Sequence, residues 1–190
     1  MDFNKHYSKE IIEQFALQVL KFSFDLKYGE YFKPSNEDNF DYISPDKNSA
    51  LEITSVRTEN EIQESVYEKH RAEGRKNLDT DRIIDSKFNN DGSIKSYYGG
   101  SISELISLIR ISIDRKQRIA VNRLANKSYK NVDLCICIND GGLLNKENFE
   151  LAFNDLNIYI FRNIFFITSL NFISYSKRKG FKEYKKIYEL

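Results

Sequence analysis

Seven residues at 132–138, VDLCICI, are apolar except for one aspartate, and Asn and Asp bound the run. A run without polar alternation cannot leave one face in water, so it predicts a central strand covered on both sides. Just upstream, ISELISLIRISIDRKQRIAVNRLAN places Ile102, Leu105, Ile106, Ile109, Ile113, Ile119 and Leu124 at helical spacing, over a length only a long helix supplies. That helix should cross the sheet. A second apolar run, NIFFITS at 163–169, predicts another buried strand, preceded by a short helix around 146–154. Near the start, Ser8 is a candidate N-cap for a helix over about 9–24 with Ile12, Phe15, Ala16, Val19 and Leu20 on its apolar stripe. The order helix, strands, helix, strand, helix, strand implies an α/β fold, a mixed central sheet flanked by helices.

The 190 residues suit a single domain, spanning 1–190, with a charged and weakly amphipathic helical insertion around 57–100. A loop is expected where NNDG and YYGG fall, within 89–100, and NDGG at 139–142 should turn the chain after the central strand. No apolar run approaches the roughly 20 residues that span a bilayer, and MDFNKHYSKE lacks the pattern of a signal peptide. A cytoplasmic location is expected, with Cys135 and Cys137 as buried, reduced thiols. A net charge of +1 neither favours nor opposes a nucleic-acid partner, because local clustering decides that.

Function is most legible in FDYISPDKNSALEITSV, at 40–56. Two β-prone runs flank Pro45, Asp46, Lys47 and Asn48, which are turn formers, so a hairpin follows. With the turn centred between Asp46 and Lys47, Asp41 lies across the ladder from Glu52. Thr54 shares the face of Glu52, while Leu51, Ile53 and Ser55 point the other way. Like charges directly opposite destabilise a sheet unless something offsets them, and a divalent cation held by carboxylate oxygens would do so. The bland alternative is an edge hairpin with both carboxylates in water.

An N-terminal helix with an acidic residue, an Asp-bearing strand, ALEITSV, a long helix with basic and amide residues, and RLANKSYKNVDLCICI at 123–138 together resemble the PD-(D/E)XK restriction-endonuclease-like superfamily. ALEITSV is similar to the variants in which E-x-T replaces the usual motif. The resemblance covers about 10–138 and implies a restriction-endonuclease-like core. It further implies a nuclease that hydrolyses DNA, or RNA, with Mg²⁺ or Mn²⁺. In that pattern Asp41 and Glu52 are metal ligands, the Ile53 carbonyl is a further ligand, and Glu13 matches the acidic residue of the first helix, with Glu10 as its competitor. The motif lysine is absent because Thr54 stands there; variant members supply the missing group from the next helix, where Lys116 or Gln117 is best placed. A homodimer is compatible with the resemblance, since two strands need two sites. The alternative it leaves open is a catalytically inactive module of the same fold that binds nucleic acid or a protein.

Two basic clusters could contact phosphates: Lys69, Arg71, Arg75 and Lys76 in KHRAEGRK, and Lys177, Arg178 and Lys179 in KRKGFKEYKK, the latter interleaved with aromatics. His6 and His70 are isolated, so zinc-ligand spacing is missing. No phosphate-binding glycine motif occurs.

Overall fold

The structure, a computed structural model, describes residues 9–35, 40–56, 101–125, 129–138, 144–153, 155–168 and 170–184. Among them the chain forms helix α1 (Lys9–Ser23), a 3-10 turn (Leu26–Glu30), strands β1 (Tyr42–Ile43) and β2 (Ser49–Val56), and helix α2 (Ile102–Leu124). Strand β3 (Asn131–Ile138), helix α3 (Lys146–Phe153) and strands β4 (Asn163–Ile167), β5 (Phe172–Ser176) and β6 (Gly180–Tyr184) follow. The six strands make one mixed sheet in the order β1-β2-β3-β4-β5-β6. Strand β2 is parallel to β3, and β3 to β4, while the β1–β2, β4–β5 and β5–β6 pairs are antiparallel. An isolated antiparallel bridge between Phe32 and Ile43 extends the β1 edge by one more segment. The expected insertion at 57–100, the turn at 139–142 and the Ser8 cap lie outside the described residues.

Helices α2 and α3 connect successive parallel strands and pack on one face, where Leu105, Ile109, Phe149 and Phe153 meet Leu134, Ile136, Ile164 and Phe166. Helix α1 covers the other face with Ile12, Phe15, Ala16 and Leu20 against Leu51, Ile53, Cys135 and Phe165. This two-sided cover explains why β3 is buried from Val132 to its end and why both cysteines are buried free thiols. Phe24 stands edge-on to Phe165 at 4.7 Å and helps close the α1 layer over the sheet.

Two features differ from the sequence expectation. Residues 172–184 fold into a hairpin, β5–β6, where the sequence showed only a basic cluster and no further strand. Its three-residue turn, Lys177 to Lys179, ends at Gly180 with φ +67°, the left-handed position that such hairpins give to glycine. In α2 the buried stripe runs through Leu105, Ile109, Ile113, Gln117 and Ala120, leaving Ile102 exposed and Ile119 half-buried. Ser101 caps this helix by accepting from the Glu104 N–H at 3.2 Å.

The β1–β2 turn sets the register that positions the site. Asp46 accepts from the Ser44 hydroxyl at 2.5 Å and from the Asn48 N–H at 3.0 Å, and these bonds hold its carboxyl low, at about 2. Lys47 takes the left-handed conformation at φ 55°. Tyr42 then pairs with Leu51 and Ile43 with Ala50, which puts Asp41 opposite Glu52, as the turn chemistry predicts.

One buried carboxylate locks the middle of the sheet, in β3 and in register with Leu51 of β2. Asp133, fully buried in β3, accepts from the Tyr28 hydroxyl at 2.8 Å, the Arg162 Nε at 3.1 Å, and the Asn163 N–H and Nδ2 at 3.1 and 3.0 Å. The Arg162 Nη2 also donates to it. An ionised group out of water is tolerated only when paired and hydrogen-bonded in this way. The network ties the 3-10 turn, β3 and β4 together on the α1 face.

Candidate functional site

The β1 ladder stops at Tyr42, so β2 beyond Leu51 forms an open edge among the described residues. Residues from both faces of the sheet therefore reach one cleft of about 230 Å³. It is lined by Lys9, Ile12 and Glu13 of α1, Ile53, Thr54 and Ser55 of β2, and Lys116 of α2. Asp41, just before β1, bonds to two of these lining residues, Lys9 and Ile53. Asp41 Oδ2 accepts the Ile53 N–H at 2.8 Å, so a side chain takes over where the backbone ladder ends. In a strand the carbonyl of a residue leaves on the same side as its N–H. The Ile53 carbonyl thus faces the open edge beside Asp41.

Glu13 is buried although it is charged, because α1 turns it inward beside Ile12. Two ammonium groups compensate it: Lys9 Nζ lies 3.3 Å from Oε1 and Lys33 Nζ 3.0 Å from Oε2. Lys9 Nζ is also 3.0 Å from Asp41 Oδ1, so one ammonium sits between two carboxylates from different elements. The hydrogen bond to Asp41 raises the Lys9 pKa, although partial desolvation opposes it. Glu10, the competitor at sequence level, is exposed and among the described residues reaches Lys33 at 4.0 Å; Glu13 is the acid that lines the cleft.

Glu52 is buried on the α2 face, with Lys116 Nζ 2.5 Å from Oε1 and Arg123 Nη1 2.5 Å from Oε2. Burial pushes its carboxyl up, the Asp41 charge adds to that, and the two cations pull the other way. The Asp41 contribution places the two carboxylates within electrostatic reach. Arg123 is steadied over the Phe40 ring at 5.6 Å.

Lys116 and Gln117 part company. Lys116 reaches Glu52 and the cleft, whereas Gln117 points into the core, accepts the Tyr159 N–H at 2.9 Å and donates to the Asn157 carbonyl at 3.2 Å. A catalytic role for Gln117 finds no geometric support, because its amide fastens α2 to the chain that enters β4. Thr54 lines the cleft, half-buried. Lys177, Arg178 and Lys179 occupy the β5–β6 turn, beside the start of β4. Lying between β5 and β6, they are three to four strand spacings from β2, on the order of 15–20 Å away, so they stand apart from the cleft. Lys69, Arg71, Arg75 and Lys76 lie outside the described residues.

Three basic residues of the site escaped the sequence reading. Lys9 had a local signal, its i,i+4 spacing to Glu13. Lys33 and Arg123 had none, because their partners are set by the fold. No described group of three or more His, Cys, Asp or Glu residues is arranged to hold a metal ion. Yet two carboxylates already converge on one cation, the Lys9 ammonium. Mg²⁺ is commonly held by only one or two carboxylates, with water and substrate phosphates completing its shell. On that pattern Asp41, Glu13 and the Ile53 carbonyl would be the protein oxygens for a divalent ion, whereas Glu52, expected as a ligand, has both oxygens engaged by Lys116 and Arg123. Among the described residues, no helix is long and apolar enough to cross a membrane. Comparison with known proteins finds no matching family model, no curated protein and no solved structure similar to this chain.

Proposed function

We propose that the protein is a metal-dependent nuclease of the restriction-endonuclease-like type, acting on phosphodiester bonds of DNA or RNA in the cleft between α1 and β2. The observation that carries this reading is Lys116. Thr54 leaves the E-x-T strand without an amine, and α2 returns one to the same carboxylate, with Nζ 2.5 Å from Glu52 and in the cleft wall. The order of elements adds support: a helix, antiparallel segments at Phe32, β1 and β2, a long crossover helix, and then a strand parallel to β2.

A bound Mg²⁺ or Mn²⁺ would polarise a phosphoryl oxygen and make an attacking water more acidic. Asp41, Glu13 and the Ile53 carbonyl would hold that ion at the open edge of β2. Glu52 orients Lys116, and the Lys116 ammonium offsets the charge that builds on the phosphoryl group. Thr54 and Ser55 offer hydroxyls for hydrogen bonds to the substrate backbone.

Cleavage of labelled single- and double-stranded DNA and RNA in Mn²⁺, by the wild type and the Lys116→Met variant, tests this role. A rate lower by about 100- to 1,000-fold with Mn²⁺ affinity preserved is the expected result; equal rates would remove Lys116 from the mechanism. A second reading, an inactive module of the same fold, is favoured by one observation. Both Glu52 oxygens already carry a cation at 2.5 Å. It predicts nucleic-acid or protein binding without cleavage in any metal.

A further inference from the structure

We propose that Lys9 is a built-in occupant of the cation position, a tethered ammonium that holds Glu13 and Asp41 together in the metal-free protein and must swing out when a divalent ion binds. This regulatory role rests on the reading of the cleft as a metal site.

Three observations carry it. Lys9 Nζ bridges two carboxylates from separate elements, 3.3 Å from Glu13 and 3.0 Å from Asp41, the geometry of a shared cation rather than of a simple surface pair. Its side chain is 74% exposed while those of Glu13 and Asp41 are 5% and 10% exposed, so the ammonium can retreat to water and the carboxylates cannot. Finally, Asp41 is fixed independently at the open edge of β2, where its Oδ2 accepts the Ile53 N–H at 2.8 Å. The four-carbon stem of Lys9 supplies the reach for both states.

The arrangement has a consequence opposite to that of a structural ion pair. Removing Lys9 leaves two carboxylates facing each other with one fewer counterion and no competitor for a metal. Exposed ion pairs are individually weak, so the competing ammonium is displaceable and its loss is expected to tighten divalent binding by about three- to tenfold. Lys33 provides the control, because its ammonium contacts Glu13 at 3.0 Å and Glu10 at 4.0 Å and has no contact with Asp41. Its removal deletes the same charge without opening the bridge.

Calorimetric titration of Mn²⁺ into the full-length wild type, Lys9→Met and Lys33→Met proteins tests the inference. Mn²⁺ affinity about three- to tenfold higher in Lys9→Met, with less than a twofold gain in Lys33→Met, is the expected result. Unchanged or weaker binding in Lys9→Met, beside measurable wild-type binding, overturns the role of Lys9 and leaves the metal site standing. Equal gains in both variants overturn it in favour of a general charge effect. Absence of binding in all three overturns the metal reading and this inference with it. A Lys9→Gln variant, which keeps most of the length without the charge, should behave as Lys9→Met does.

Discussion

Asp133→Ala is expected to lower the unfolding free energy by about 3–5 kcal/mol, the largest effect of any single substitution considered. The wild-type carboxylate is fully buried and accepts from the Tyr28 hydroxyl, both Arg162 donors and both Asn163 donors. Truncation leaves the guanidinium without its counterion and the Tyr28 hydroxyl orphaned in the core. Breaking a buried pair from one side costs about 3–5 kcal/mol, against a total stability of about 5–15 kcal/mol for a typical domain. The Arg162 side chain is 35% exposed and recovers some hydration, which sets the figure toward the lower end of that range. Urea denaturation followed by circular dichroism should show the midpoint fall with the slope unchanged. In a chain of this size the melting temperature should drop by roughly 6–20 °C. An unfolding free energy within about 1 kcal/mol of wild type would mean that the network is not what joins β3, β4 and the 3-10 turn.

The second large effect falls on activity. Glu52→Gln keeps the shape of the side chain but removes the charge that holds Lys116 and Arg123, so cleavage is expected to fall by about 100-fold or more. Stability should also fall, by about 1–3 kcal/mol, because two partly buried cations lose their counterion; their remaining solvent contact discounts the fully buried figure. The double variant Glu52→Gln/Lys116→Met separates the two consequences. Removing the stranded ammonium should return about half of the lost stability while the protein stays inactive. Recovery of cleavage in the double variant would contradict the roles given to both residues.

Much of the fold was legible because its signals are local. The period of α2 and the unbroken apolar run of β3 fix those elements, and the SPDKNS turn fixes which residue of β1 faces which residue of β2. Hairpin β5–β6 was hidden because its second strand is half-exposed and rich in Lys and Glu, so charge masked the alternation that marks a strand. The distinction between Lys116 and Gln117 was present in the helix phase. Leu105, Ile109 and Ile113 place the next core position at 117, about 100° around the helix from 116. The cationic half of the site was not legible. Lys9 reaches Asp41 across 32 residues and Arg123 reaches Glu52 across 71, and only the packed sheet brings those pairs together. Asp133 advertised itself as a lone carboxylate in an apolar run, a pattern that requires buried partners, but the identity of those partners depended on tertiary structure.

The cleft as a divalent-cation site is tested most directly by calorimetric titration of Mn²⁺ into the wild type and the Asp41→Asn variant. Asparagine keeps an oxygen for the Ile53 N–H and loses only the charge, so folding should change by less than about 1 kcal/mol. Saturable binding to the wild type, weakened at least tenfold in the variant, is the predicted result. No binding to the wild type, or equal binding to both proteins, would contradict it.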